Sequence, residues 1–303
     1  MLKEPAQAGR GSSSGPDRPA PADPIFVIGT ARSGTTWVAN LIASHPDVVA
    51  ATAPEHHGVI ESHLFDHTRY AIPGALTPSQ FIERYQREDY FRTLGVSSEC
   101  FSSGSGDRPV DAVTHFETLM ALAARRRGAR YWLEKTPRHA AYVDEIAARF
   151  PHARFVLVKR DKSRTIRAQV ARFQPAGSSH LRTIVEKSLR YATDSRGVDR
   201  LARIAGPRAV VIRYEDLVGD FEHETGRLLQ FLGLDPCDLR SDFARSASGA
   251  RADVAPPFAD RLVVMTCSLV VRCAPFALVR SLRARRDASH ATRDPYYTRI
   301  DRR

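Results

Sequence analysis

The sequence is poor in cysteine, and its few cysteines are not spaced like a metal or redox site. Only four occur in 303 residues, namely Cys100, Cys237, Cys267 and Cys273. Scattered cysteines in a chain of this length are typical of a reducing compartment, so we expect a cytoplasmic location. Neither a disulfide framework nor one of the usual zinc motifs is predicted.

An apolar run is missing from the first 23 residues, which are rich in Pro, Gly, Ser and Ala. A secretory signal peptide needs such a run, so we interpret residues 1–23 as a disordered leader. Signatures of helix-turn-helix, zinc-finger and RNA-binding domains are missing too. The net charge of +11 is partly local, because residues 280–303 hold eight arginines against three aspartates. The remaining charge suits an enzyme with an anionic ligand, and we expect no nucleic-acid partner.

Beyond the leader, short apolar runs alternate with stretches of helical periodicity. Strands are predicted at 25–28, 130–133, 154–158 and 209–213, and helices at 35–44, 139–150, 163–173, 179–204 and 217–232. This alternation predicts an α/β fold, with an open parallel sheet covered by helices on both faces. We assign residues 24–260 to one domain. Its segment 70–109 is rich in Gly, Ser and Pro, and we expect a surface insertion that acts as a lid.

The segment IFVIGTARSGTTW, residues 25–37, joins the first strand to the first helix through a glycine-bounded turn. Such a turn aims backbone N–H groups and the positive end of a helix at one point, which favours an anion. The loop lacks the lysine that follows the last glycine in nucleoside triphosphatases. Thr35 stands in its place, and the cation comes earlier, as Arg32. Hydroxyl donors are supplied by Ser33, Thr35 and Thr36.

Three further segments place polar residues directly after predicted strands. Lys135 ends the strand of LEKTPRH, Arg160 follows the strand of FPHARFVLVKRD, and Tyr214 follows the strand of VIRYEDL. Because ligands of open α/β sheets bind outside the carboxyl ends of the strands, we expect these residues to meet at one edge. Tyr214 either packs in the core or contacts the ligand. Glu215 and Asp216 are interpreted as acids at a helix N-terminus.

In this order, over about residues 24–234, the motifs resemble those of sulfotransferases that use 3′-phosphoadenosine 5′-phosphosulfate (PAPS). The bacterial members and the tyrosylprotein sulfotransferases are the most similar in style. The resemblance implies the sulfotransferase fold, PAPS as co-substrate, no metal, and transfer of a sulfuryl group to an acceptor hydroxyl or amine. It implies that RSGTTW holds the 5′-phosphosulfate and that Arg160 holds the 3′-phosphate. The nucleotide-binding residues would be Arg32, Ser33, Gly34, Thr35, Thr36, Trp37, Arg160, Arg172 and Tyr214.

Sulfuryl transfer requires positive charge where the bridging oxygen becomes anionic, and it requires a proton acceptor for the attacking hydroxyl. Arg32 and Lys135 are the candidates for the positive charge. In the tyrosylprotein sulfotransferases the catalytic glutamate follows an HPDV stretch, and this sequence reads HPDVVAATAPEHH. We therefore assign Glu55 as the general base. His56 is the rival, because a histidine titrates near neutral pH.

The sequence departs from the family's pattern in three places. Lys162 replaces the proline of the usual RDP, and Ala168 stands where a serine contacts the 3′-phosphate. The basic, glycine-rich loop that closes over the nucleotide has only a poor counterpart in SGARAD, residues 248–253. Two other functions stay open: a P-loop kinase or hydrolase, because VVIRYED ends an apolar strand in acids, and a noncatalytic nucleotide-binding relative at a membrane.

Residues 261–303 consist of an apolar segment, 262–279, and an arginine-rich tail. The segment approaches the ~20 residues of a membrane-spanning helix, but Arg272 near its centre costs ~3 kcal/mol there. Pro275 would also kink such a helix. We expect a buried or interfacial helix, with the tail resting on anionic lipid as a peripheral membrane contact. The acceptor is a small molecule, a lipid or a carbohydrate, and the sequence does not select among them.

Overall fold

The computed structural model describes residues 22–66, 74–85, 90–106, 108–174, 177, 179–239 and 258–291. Its centre is a parallel sheet of five strands, which are β1 (Asp23–Gly29), β2 (Val48–Val49), β7 (Tyr131–Lys135), β8 (Arg154–Lys159) and β9 (Ala209–Arg213). The strand order is β2-β7-β1-β8-β9, and every neighbouring pair is parallel. The predicted parallel sheet is therefore confirmed.

Helices cover both faces of this sheet. They are α1 (Thr35–Ala43), α2 (Pro78–Tyr85), α3 (Tyr90–Leu94), α4 (Ser98–Ser105), α5 (Ala112–Arg127), α6 (Val143–Arg149), α7 (Lys162–Phe173), α8 (His180–Ala205), α9 (Tyr214–Gly219), α10 (Phe221–Leu232), α11 (Phe258–Cys273) and α12 (Phe276–Ala291). Two small antiparallel pairs join them: β3 (Thr52–Ala53) with β4 (Gly58–Val59), and β5 (Ala75–Leu76) with β6 (Val110–Asp111). Three 3₁₀ turns complete the set, at Pro54–His56, Pro137–Ala141 and Gly206–Arg208.

The central strand β1 shows why both faces are covered. From Pro24 to Ile28 its residues are apolar without interruption, and successive side chains point to opposite faces of a sheet. Phe26 and Ile28 pack in one core cluster with residues of α5, α6 and α8. Ile25 and Val27 pack in the other, with residues of α1 and α10. A strand with an apolar residue at every position is stable only between two layers of helices.

The segment expected as a surface insertion contributes to the core in its described part. Phe81 of α2 and Phe101 of α4 are fully buried, with ring centroids 5.6 Å apart, and they belong to the cluster that also contains Phe116 of α5. The polar Gly and Ser residues of this segment obscured its apolar positions, which recur at helical spacing. The role of a lid stays a prediction for this segment.

Several element boundaries differ from the predictions. The helix expected at 139–150 is divided into a 3₁₀ turn, Pro137–Ala141, and α6, while the helix expected at 217–232 is divided at Asp220 into α9 and α10. The Asp220 carboxylate accepts a hydrogen bond from the His223 N–H, so it caps α10. Because β1 starts at Asp23, it includes the last residue of the expected leader. Residues 1–21 and 248–253 lie outside the described residues.

Candidate active site

The loop after β1 has an unusual backbone conformation. Arg32 has a φ of 68° and Gly34 a φ of 100°, both in the left-handed region. For a residue with a side chain this conformation costs about 1–2 kcal/mol, and such strain is retained mainly at functional sites. The turn is closed by a 3.1 Å hydrogen bond from the Ser33 N–H to the Thr30 carbonyl. It leads directly into α1, whose first N–H groups face outward from the helix end.

Tyr214 and Arg160 pack against this loop. A Cβ atom at Gly34 would lie 2.6 Å from Cδ2 of Tyr214, so only glycine allows the ring this close. The Arg160 guanidinium lies over the Tyr214 ring, 4.3 Å from its centroid, and its Nη1 donates to the Arg32 carbonyl at 3.2 Å. The Arg160 Nε–H is buried and has no hydrogen-bond partner among the described residues. An anionic group at this point would satisfy it.

The electrostatics of the loop are those of an anion site. Burial lowers the pKa of Arg32, and the positive charges of Arg172 and Arg160 lower it further. Three guanidinium groups therefore repel one another around the loop. A bound anion relieves this repulsion, and an arginine can hold phosphate or sulfonate oxygens with two parallel hydrogen bonds.

A chain of charged side chains runs along the edge of the sheet next to the loop. The buried ammonium of Lys135, at the end of β7, lies 3.2 Å from a carboxylate oxygen of Glu61. The other oxygen of Glu61 lies 3.4 Å from Nε2 of His63, whose Nδ1 lies 3.0 Å from Asp66. Asp66 is in turn 3.4 Å from Nε of Arg138. Glu61 is thus placed between a lysine and a histidine that a second carboxylate orients.

The environment keeps Glu61 ionised. Burial raises the pKa of this carboxyl group, but the Lys135 ammonium and His63 outweigh burial, so the pKa lies below its ordinary value. An ionised carboxylate that faces an open cavity can accept a proton from a ligand.

A buried hydrogen-bond network holds the segment after Glu61 against β7. The fully buried carboxylate of Glu134 accepts hydrogen bonds from the Ser62 hydroxyl at 2.7 Å, from the Thr136 hydroxyl at 2.6 Å and from Nδ1–H of His139 at 3.0 Å. The Ser62 N–H also points to it, at 3.4 Å. Nε2 of His139 accepts the Phe65 N–H at 3.2 Å. The motif residues around Lys135 therefore fix the segment that carries Glu61.

Asn40 of α1 fixes the same segment from the other side. Its amide group donates to the His57 carbonyl at 2.8 Å, and its carbonyl oxygen accepts the Val59 N–H at 2.9 Å. A Cβ at Gly58 would lie 2.0 Å from Asn40 Oδ1, so glycine is required here as well. The β3–β4 turn is thereby bound to the helix that begins at the anion loop.

The loop and the charged chain open into one cavity of about 360 Å³. Its wall includes one carboxylate, that of Glu61, against five cationic side chains, namely Arg32, Arg138, Arg160, Lys187 and Arg190. Trp37, Phe173 and Tyr214 supply aromatic surface. A cavity with this balance of charge fits a ligand that carries several negative charges and a flat ring.

The structure brings most of the predicted residues to this cavity. Arg32, Gly34, Thr35, Thr36, Trp37, Arg160 and Tyr214 all line it. Lys135 reaches its edge through Glu61. Glu215 and Asp216 lie in the first turn of α9, and a Glu215 oxygen accepts the Asp161 N–H at 2.9 Å.

Four of the residues that the sequence analysis names do not line the cavity. The Ser33 side chain is fully buried, and its hydroxyl lies 3.4 Å from the Val158 carbonyl, so it points into the sheet. Arg172 is exposed and acts on Arg32 through its charge. Ala168 is buried and is not part of the cavity wall. Glu55, the base expected from the sequence, is exposed on the 3₁₀ turn and does not line the cavity.

His56 is likewise not part of the cavity wall, whereas its neighbour His57 is. The backbone conformation around these residues explains the difference. Pro54–His56 form a 3₁₀ turn, after which His57 takes a φ of 55° and the chain reverses into β4. The reversal turns Glu55 outward and brings Glu61, six residues later, back to the sheet edge. A signal for Glu61 was present in the string GVIESHLFD, which holds three ionisable residues among apolar ones.

Comparisons with known proteins agree with this geometry. A model of the sulfotransferase family matches residues 24–238. The nodulation protein NoeE of Sinorhizobium fredii is 26% identical over 71% of this chain and 51% of its own length. Protein-tyrosine sulfotransferase 1 of Danio rerio is 24% identical over 69% of this chain and 53% of its own. The chain thus spans about half the length of these two curated relatives, and 65% of a third.

Among solved structures, the sulfotransferase domain of the Synechococcus PCC 7002 olefin synthase has a TM-score of 0.54 at 16% identity. The match covers 86% of this chain and 98% of that domain. At this identity the likeness concerns the fold, and it agrees with the parallel sheet and its flanking helices.

Proposed function

Because the chain belongs to the sulfotransferase family, we propose that it transfers a sulfuryl group from PAPS to an acceptor hydroxyl. One observation carries the proposal. A strained, arginine-bearing loop at a helix N-terminus shares a cavity with an ionised glutamate that pairs with Lys135. Anion binding and proton acceptance, the two requirements of this reaction, thus meet in one place.

The residues present fit the donor. The N–H groups that begin α1, with Arg32, Thr35 and Thr36, would hold the 5′-phosphosulfate. Arg160, whose buried Nε–H lacks a partner among the described residues, would hold the 3′-phosphate. Tyr214 and Trp37, with ring centroids 5.6 Å apart, offer the adenine an aromatic surface. PAPS supplies the transferable sulfonate and a phosphate leaving group.

In the transfer, the acceptor oxygen forms a bond to sulfur while the bond from sulfur to the 5′-phosphate oxygen breaks. The acceptor proton passes to the Glu61 carboxylate, and the electron pair of the broken bond stays on the phosphate. Lys135 and Arg32 stabilise the negative charge that develops there. His63, oriented by Asp66, holds Glu61 in place from the side opposite Lys135.

The cavity also indicates the chemical class of the acceptor. Arg138, Lys187 and Arg190 line it beyond the loop. Lys187 is more than nine-tenths buried, and its ammonium lies 5.6 Å from the centroid of the Phe173 ring. Each of these cations already has a carboxylate partner, namely Asp66 for Arg138, Glu186 for Lys187 and Asp194 for Arg190. The Phe173 ring is therefore the feature that supports an acceptor with an apolar or ring-shaped part near its reacting hydroxyl.

Binding of the product nucleotide tests the donor assignment. Calorimetric titration should show that 3′-phosphoadenosine 5′-phosphate (PAP) binds without Mg²⁺ and more tightly than ATP with Mg²⁺. Tighter binding of ATP with Mg²⁺ would support a kinase or hydrolase instead. A protein that binds neither nucleotide would contradict the proposal.

A matched pair of glutamate variants tests the base. With ³⁵S-labelled PAPS and the best acceptor from a panel of phenols, sugars and tyrosine peptides, Glu61→Gln should lose ~10²–10⁴ in turnover, the range for a lost acid–base group. Glu55→Gln is the control, because Glu55 is exposed outside the cavity. Both variants should bind PAP like the wild type. If Glu55→Gln loses turnover and Glu61→Gln does not, the general base is Glu55, as the sequence pattern predicts, and the proposal for Glu61 is wrong.

A further inference from the structure

The helix α11 is apolar on two opposite faces, and only one of them packs against the protein. Val264, Cys267 and Val271 are buried. On the opposite face an exposed row, which we call the outer stripe, recurs every three or four residues as Phe258, Leu262, Met265 and Leu269. Each of these four side chains is at least half exposed. The outer stripe therefore takes no part in the packing of the described domain.

The helix α12 extends this apolar surface. It follows α11 after a bend of 112° and exposes Leu278 and Leu282. Including Val270, seven of the twelve exposed large hydrophobic residues of the described part lie on these two helices. Within that part no helix by itself has the length and apolarity of a membrane span, although the bent pair taken together does. Apolar surface concentrated in this way marks an interaction site.

A cationic cavity lies at one edge of the outer stripe. It has a volume of about 630 Å³ and is bounded by α8, α11 and the start of α12. Its cationic side chains are Lys162, Arg196, Arg200, Arg203 and Arg272, against the single carboxylate of Asp199. Ser268 and Arg272 line the cavity and belong to α11, the helix that carries the outer stripe.

Part of the charge in this cavity is already compensated. The Asp199 carboxylate lies 2.6 Å from Lys159, and Arg200 pairs with Asp144. Arg203 and Arg272, in contrast, form no ion pair with any described residue, and both are exposed. The cavity therefore presents uncompensated positive charge next to an apolar helix face, which is the pattern of a helix that binds at a lipid headgroup layer.

We propose that α11 and α12 form a peripheral docking surface for a membrane that contains anionic lipid. The outer stripe lies at the boundary of headgroups and acyl chains, and Arg203 and Arg272 hold a lipid phosphate in the cationic cavity. The positive charge of the cationic cavity complements the negative charge of the lipid headgroups, and this favours a membrane as the occupant. A second copy of the chain, with a net charge of +11, would bring like charges together across the same surface.

Vesicle co-sedimentation tests the proposal with the full chain. We expect binding to phosphatidylcholine vesicles that contain phosphatidylglycerol, little binding to phosphatidylcholine alone, and weaker binding as salt is added. The double variant Leu262→Asp/Leu269→Asp should lose at least ten-fold in vesicle affinity. Arg203→Ala/Arg272→Ala should lower binding to anionic vesicles more than to neutral ones.

Val218→Asp is the matched control, because Val218 is an exposed valine of α9, outside this surface. It should bind vesicles like the wild type, and all variants should keep the wild-type melting temperature because the replaced side chains are exposed. Absence of binding to anionic vesicles, or equal binding by Leu262→Asp/Leu269→Asp, would overturn the proposal. A concentration-dependent dimer that this double variant dissociates would assign the surface to a second copy instead.

Discussion

Replacement of Glu134 by glutamine tests the network that positions the candidate base. The carboxylate is fully buried, and its oxygen Oε1 accepts three hydrogen bonds while Oε2 accepts one from His139. Glutamine has nearly the same shape, but an NH₂ group with two N–H donors replaces one of the two carboxylate oxygens. If the side-chain oxygen of the glutamine faces Ser62 and Thr136, its NH₂ group faces the Nδ1–H of His139, and two donors then oppose each other.

His139 cannot easily exchange its proton to relieve this conflict. Moving the proton to Nε2 would oppose the Phe65 N–H, which donates to Nε2 at 3.2 Å. One buried donor is therefore left without a partner, at a cost of about 1–3 kcal/mol. The remaining bonds also lose their charge assistance, which makes each of them weaker. Glu134→Leu, which removes the acceptor for every donor of the network, should cost more, about 3–5 kcal/mol.

Urea unfolding measures this loss. We expect a lower midpoint for Glu134→Gln at an unchanged m-value. Glu117→Gln is the control, because Glu117 forms an exposed ion pair with Arg149 at 3.1 Å, worth about 0–1 kcal/mol. A Glu134→Gln protein within ~0.5 kcal/mol of the control would refute the reasoning, because the network would then contribute no more than a surface pair.

The Glu134 carboxylate also makes the free energy of unfolding depend on pH, and the direction of this dependence follows from its pKa. Burial raises the pKa of Glu134, but His139, Thr136 and Ser62 outweigh burial and hold this pKa below its ordinary value. Folding therefore favours the ionised form. The contribution of Glu134 to the free energy of unfolding is present above the ordinary pKa and is lost as the pH falls through the folded value. Glu134→Gln should lose stability less steeply than the wild type over this acidic range.

Two further predictions concern single contacts. Arg160→Ala should weaken PAP binding roughly 10- to 100-fold, which corresponds to the loss of about 1.5–3 kcal/mol for a hydrogen bond to a charged group. The control Arg172→Ala should change PAP affinity less than about 5-fold. Equal effects of the two variants in calorimetric titration would contradict the assignment of the 3′-phosphate to Arg160. Gly197→Ala should lower the free energy of unfolding by at least ~1–3 kcal/mol, because its Cβ would lie 1.7 Å from the Ala140 carbonyl oxygen. Gly226→Ala, in α10 with open space around it, should instead be neutral or stabilising by up to ~1 kcal/mol, and an identical urea midpoint for both variants would show that the contact is unimportant.

The parallel sheet could be predicted from the sequence because β1, β7, β8 and β9 each contain a run of at least three apolar residues. The strand at 209–213 has the predicted bounds, and β1 and β8 extend theirs by a few residues. The helix α5 was missed although both of its ends carry signals. The Asp111 carboxylate accepts the Val113 and Thr114 N–H groups, and Gly128 ends the helix at a φ of 66°. Its apolar face packs against aromatic residues of α2 and α4, and it is this tertiary contact that stabilises it.

The two halves of the candidate site were not equally predictable. The anion loop is local, since Arg32, Gly34 and Thr35 lie within four residues and the helix that follows fixes their directions. The position of the proposed base, Glu61, depends on chain reversal at His57 and on pairing with Lys135, which lies 74 positions away. Spacing after HPDV favours Glu55, because it counts residues along the chain and contains no information on where the chain turns back.

The hydrogen bonds of Asn40 have a consequence for the order in which substrates bind. Its side chain joins α1 to the turn before Glu61, and the same helix begins at the loop that we propose to hold the donor. Donor binding that steadies this end of α1 also steadies the turn that leads to the base, before any acceptor has arrived. We therefore expect a compulsory sequence of addition, with the nucleotide first and the acceptor second. Release would run in reverse, with the sulfated product leaving before PAP.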